Sequence, residues 1–116
     1  LRHQGSSFVE RFDANSILYI TRAMDYFDLT KQFKGGLTEA FKNQKTKFLV
    51  ISFSSDWLYT TKENKDIVIA LNSSGADVSY SEIVTDKGHD SFLVNEPEFL
   101  KTLKGFVDSM YEKFKR

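Results

Sequence analysis

Residues 48–53 read FLVISF, apolar at every position except Ser52. A run of this length is a strand, and because successive strand side chains point to opposite faces, it has apolar groups to bury on both. Strands of that kind belong to parallel sheets covered by helices on both sides. Parallel neighbours are joined by a crossover, so the next strand is expected one helix further on. The downstream sequence fits this. Residues 62–73, KENKDIVIALNS, turn Ile67, Val68, Ala70 and Leu71 to one side of a helix, Gly75 is placed to end it in a left-handed cap, and DVSYSEIV reads as the second strand. A right-handed crossover of this kind puts both strand ends on one edge of the sheet.

The flanking segments read as helices. In residues 13–27, DANSILYITRAMDYF, the apolar positions Ile17, Leu18, Ile20, Ala23, Met24 and Phe27 recur at helical spacing, with Asp13 or Asn15 as the cap. Gly35 and Gly36 interrupt the pattern before a short helix over Leu37 to Phe41, so the first third is expected to be wholly helical after a polar connecting segment, LRHQGSS. At the other end Pro97 suits a first helical turn, followed by Phe99, Leu100, Leu103, Phe106, Val107, Met110 and Phe114 at helical spacing. This stripe is expected to pack on the sheet, with Phe99, Phe106 and Phe114 in the core. Two parallel strands cannot satisfy their own edges and faces, so further strands are expected from outside this chain.

Composition narrows the partners. The 116 residues hold 41% hydrophobic and 15% aromatic side chains, enough for the core of one domain. Sixteen basic and sixteen acidic residues cancel and form no blocks, which removes the electrostatic case for a nucleic acid or an anionic membrane. No cysteine is present, so disulfides and thiolate metal sites are excluded, and no metal site is expected. No apolar run reaches bilayer length and no signal-peptide pattern is visible, which together suggest a cytoplasmic location.

Ligands of open α/β sheets bind beyond the carboxyl ends of the strands. Asp56, in SSDWLYT, and His89, in DKGHDSFL, both fall there. A carboxylate followed by an imidazole on neighbouring strand ends matches the last two members of the order Ser, Asp, His in α/β-hydrolases. The first member is absent: no G-x-S-x-G occurs, and Ser54 and Ser55 lack the flanking glycines. On position alone a solvated loop histidine explains His89 as well, helix capping explains Asp56, and a turn explains Asp90.

Longer stretches say more. LRHQGSSFVERFDANSILYITRAMDYFDL, FLVISFSSDWLYT and GHDSFLV together closely resemble the C-terminal part of homoserine O-acetyltransferases, a branch of the α/β-hydrolase superfamily. The family pattern at the end of its helical lid is matched by Gln4, Gly5, Phe8, Arg11, Phe12, Asp13, Ala14, Asn15, Ser16, Tyr19, Thr21, Arg22, Ala23 and Asp25. The resemblance implies an α/β fold made of the last two parallel strands and helices of a hydrolase core, residues 46–116, preceded by the end of the lid, residues 1–45. It implies Asp56 as catalytic acid, His89 as catalytic base and Asp90 as a homoserine contact that binds the ammonium group. It further implies acetyl-CoA as co-substrate with no bound cofactor, L-homoserine as acceptor, a serine nucleophile and oxyanion donors on a missing N-terminal part, and a homodimer formed through the lid of the full protein. This chain alone is expected to be inactive.

One departure stands out. Where the family often continues Phe-Pro after the acid, this chain reads Leu58-Tyr59-Thr60-Thr61, so a looser loop is expected. Family members that use succinyl-CoA or accept serine make that choice with residues expected mostly upstream. Trp57 reads either as a cleft residue or as packing under the lid, Arg11 and Arg22 as salt-bridge partners within the lid in preference to contacts with a CoA phosphate, and His3 as an exposed histidine. The rival reading is a non-catalytic α/β module that binds a partner through its unpaired strand edge.

Overall fold

The computed structural model describes residues 2–115. Its centre is the expected strand, helix, strand unit: β1 (Lys47–Phe53), α5 (Thr61–Ser73) and β2 (Asp77–Ile83). Among the described residues the sheet has these two strands, paired in parallel from Lys47 opposite Asp77 to Phe53 opposite Ile83. The fold is thus mixed α/β. Before β1 come α1 (Arg2–Arg11), α2 (Ala14–Tyr26), α3 (Leu29–Gln32) and α4 (Gly36–Ala40); after β2 come a 3-10 turn over His89–Leu93 and then α6 (Pro97–Phe114).

Local chemistry explains the boundaries of α5. Thr60 accepts from the Glu63 N–H while the Glu63 carboxylate takes the Thr60 N–H, a reciprocal capping box. At its other end Gly75 adopts φ 82°, and the following Ala76 N–H reaches back to the Leu71 carbonyl, as a left-handed cap requires. In α2, Asp13 is the cap, its carboxylate 2.7 Å from the Ser16 nitrogen.

The helices divide between the two faces of the sheet. Ser52 and Tyr80 share one face, where their hydroxyls lie 2.7 Å apart and Thr61 at the start of α5 reaches Ser52. On the same side Lys65 of α5 pairs with Glu82 at 2.9 Å. Phe53 faces the other way and meets Phe99 of α6, with ring centroids 5.8 Å apart. The buried apolar core is Phe53, Ala70, Leu71 and Ile83.

Several expectations change. LRHQGSS is not a connecting segment over its described part, because Arg2 onward is helical and Phe8 and Phe12, four residues apart, stack at 4.8 Å. β1 is half-buried over most of its length instead of covered on both faces, since one neighbour and two helices leave the rest of its surface open. Ile67 is more exposed than the inward face of α5 predicts, and Phe114 is 88% exposed. The physical reason for Phe114 is length: eighteen helical residues rise about 27 Å, and seven strand residues about 23 Å, so the last turn of α6 overhangs the sheet. No described helix is long and apolar enough to cross a membrane.

Candidate functional site

The parallel register places Phe53 beside Ile83, so the segments leaving β1 and β2 emerge together at one edge. Three consecutive residues of the first segment grip the second. The Ser54 hydroxyl donates to the Thr85 carbonyl and accepts from the Thr85 N–H, both at 3.0 Å. Ser55 accepts from the Gly88 N–H at 2.9 Å. Asp56 Oδ2 lies 2.9 Å from His89 Nδ1.

Asp56 is 8% exposed and fully engaged. Its Oδ1 accepts from the Leu58 and Tyr59 N–H groups at 2.8 and 3.0 Å, which tightens the loop that the sequence suggested to be loose. Nor does Asp56 cap the helix that follows, a part taken by Thr60. Burial pushes its carboxyl pKa up, but the hydrogen bond from His89, those from the Tyr59 and Leu58 N–H groups and the nearby imidazole charge outweigh it and hold the group below the ordinary aspartate value. The carboxylate therefore stays ionised.

His89 opens the 3-10 turn directly after Gly88, whose φ of 71° and ψ of −155° belong to a region open essentially to glycine alone. The turn is closed by Ser91, which is fully buried and donates to the Gly88 carbonyl at 2.6 Å. The imidazole lies between two aromatic rings, Tyr59 at 5.2 Å and Phe92 edge-on at 5.7 Å between centroids. With an ionised carboxylate at Nδ1, that nitrogen carries the proton in the neutral ring and Nε2 keeps its lone pair. Its side chain is 32% exposed, so a base of this form is open to an incoming group.

The other singled-out residues are placed differently. Asp90 is exposed beside His89. Trp57 is 91% exposed, neither lining an enclosed cleft nor packed under other described residues. Arg11 lies 5.4 Å from the centre of the Phe12 ring, and among the described residues neither Arg11 nor Arg22 forms the expected salt bridge. His3 is exposed. Sequence reasoning gave no site role to Ser91, Phe92 and Glu96, and weighed Ser55 only as a nucleophile and Tyr59 only as part of a loose loop, although the Ser-Ser-Asp run leaving an apolar strand signals a segment rich in hydrogen-bonding groups.

No protein-family model matches the chain. Individual relatives do. It is 65% identical over 113 residues to a homoserine O-acetyltransferase of Pelagibacter ubique, covering 97% of this chain and 30% of that protein. It is 58% identical over 114 residues to that of Rhodospirillum rubrum, covering 98% of this chain and 29% of the relative, and 61% identical over 109 residues to one from Rhodopseudomonas palustris, covering 94% and 27%. The chain thus spans about 30% of the length of the relatives it matches. Identity this high across nearly all of its residues makes the chain similar, along its whole described length, to part of the homoserine O-acetyltransferases.

Proposed function

We propose that the chain is the C-terminal segment of a cytoplasmic acyltransferase that moves an acetyl group from acetyl-CoA to the hydroxyl of L-homoserine, a step of methionine biosynthesis. Residues 1–45 end a helical lid and residues 46–116 complete an α/β-hydrolase core. The observation that carries this reading is the 2.9 Å contact between the Asp56 carboxylate and His89 Nδ1 at the common edge of two parallel strands. The names of the relatives supply the reaction.

In this reading a serine outside these residues is the nucleophile. His89 Nε2 takes its proton as the hydroxyl attacks the thioester, and the imidazolium returns that proton to the departing CoA thiolate. In the second half the homoserine hydroxyl gives its proton to Nε2 and attacks the acetyl-serine, and the imidazolium then reprotonates the serine. Asp56 fixes the tautomer and stabilises each imidazolium. Asp90, an exposed carboxylate next to the base, contacts the homoserine ammonium group. Without a nucleophile the chain by itself is inactive.

In the full polypeptide that carries this chain, His89→Ala is expected to lower kcat for acetyl transfer to homoserine by about a thousandfold or more. A variant keeping more than about a tenth of the parent rate removes His89 from the chemistry. The rival, a binding module without catalysis, is favoured instead if the full polypeptide shows no transfer at all.

A further inference from the structure

The segment between β2 and α6 carries His89, and its two ends are fastened by a group the mechanism does not use. Glu96, the residue that precedes α6, is 9% exposed. Its Oε2 accepts from the Thr85 hydroxyl at 3.0 Å and from the Lys87 ammonium at 2.9 Å, and the same ammonium donates to the Asn95 carbonyl at 2.8 Å. Thr85 is in turn the residue held by Ser54. The carboxylate therefore ties the start of the segment to its end and, through Thr85, to the strand end that carries Asp56.

A buried carboxylate is costly unless it is paired, and truncating one partner leaves the other exposed to that cost. The hydrogen bonds from Lys87 and Thr85 outweigh burial and hold the Glu96 carboxyl below its ordinary value. Other lysine and carboxylate pairs within helices here, such as Lys62 with Asp66, have both side chains more than half exposed. Pairs like that contribute little to stability. Glu96 is of another kind, and its position is specific: one residue separates Lys87 from His89.

We propose that Lys87 and Glu96 are positioning residues for His89, a latch across the base of its loop that keeps the imidazole on Asp56. The inference rests on the acid–base reading of the Asp56 and His89 pair. A latch acts on the chemical steps and leaves substrate binding alone, because neither residue touches the proposed reacting atoms. A catalytic group loosened by a fraction of an ångström loses rate on the scale of tenfold, given that about 1 Å can cost about a hundredfold.

The test uses the full polypeptide and steady-state transfer from acetyl-CoA to homoserine, with His89→Ala run in parallel. Lys87→Met, at a side chain 39% exposed and so tolerant of substitution, is expected to lower kcat about tenfold while both KM values stay within about twofold. Lys87→Arg, which keeps the charge and the donors, is expected to return kcat to within about threefold of the parent. Glu96→Gln, which can still accept from Thr85 and Lys87 but offers the ammonium no opposite charge, should fall between them. Unchanged kcat in Lys87→Met, or a loss that appears only in KM, overturns the latch even if His89→Ala is dead. Full activity in His89→Ala overturns the acid–base reading and the latch with it.

Discussion

His89 owes its placement to the residue before it and to the one that faces it. Gly88, at φ 71° and ψ −155°, turns the chain so that the next side chain reaches back to the end of β1, and a Cβ there would strain the turn although open space surrounds it. Asp56 faces the ring with its second oxygen already spent on two backbone N–H groups, which leaves Oδ2 for Nδ1. Asp56→Asn keeps the shape but removes the charge and inverts the hydrogen-bonding demand, so kcat in the full polypeptide is expected to drop by about a thousandfold or more. The same substitution has a signature in stability. Because the folded carboxyl titrates below the ordinary value of 3.8, folding favours its ionised form, so its contribution is fully present above that value and is lost as the pH falls through the lower folded value. The gap in urea midpoint between parent and Asp56→Asn should therefore be widest near neutral pH and close on acidification. A gap that widens as the pH falls contradicts the sign.

At the level of elements, α5 tests how far local signals carry. Its left-handed end at Gly75 was read from the sequence as a glycine after the apolar stripe, whereas the capping box of Thr60 with Glu63 went unread although its T-x-x-E spacing is the local signature. Thr60→Ala and Gly75→Ala are each expected to cost about 1 kcal/mol, read as roughly fivefold faster amide exchange across α5 in the full polypeptide. Protection unchanged in both variants would mean that packing alone fixes the helix. The crossover and its strands were equally legible, since FLVISF and DVSYSEI carry strand patterns on either side of a helical one. The nearness of Asp56 and His89 followed from that topology. The braces around them did not: Ser55 to Gly88 and Lys87 to Glu96 depend on the conformations of two irregular segments, where no periodicity in the sequence ties one residue to another. α1 was missed because polarity was read as irregularity, whereas a helix needs no buried face to form a few turns, and the stacked Phe8 and Phe12 pair is a helical spacing.

The whole molecule is extended for its size. Its radius of gyration is 18.0 Å, where a compact domain of this length has about 13 Å. Both outer edges of the two-stranded sheet are unpaired among the described residues, and α2 leaves Leu18, Ile20 and Met24 uncovered, with Phe27 exposed just after it. On α6, Leu100, Val107 and Phe114 are exposed as well. Apolar surface of this extent beside open strand edges is the signature of an interface, and in the proposed reading the remainder of the acyltransferase covers it. A chain carrying that interface bare should not stay solitary. Purified by itself at about 50 μM, it is expected to sediment as concentration-dependent assemblies and to bind an apolar dye such as ANS, whereas the full polypeptide should do neither through these surfaces. A monodisperse, dye-silent monomer at that concentration would show instead that these edges and helix faces are self-sufficient, and would remove the strongest physical reason for regarding the segment as part of a larger sheet.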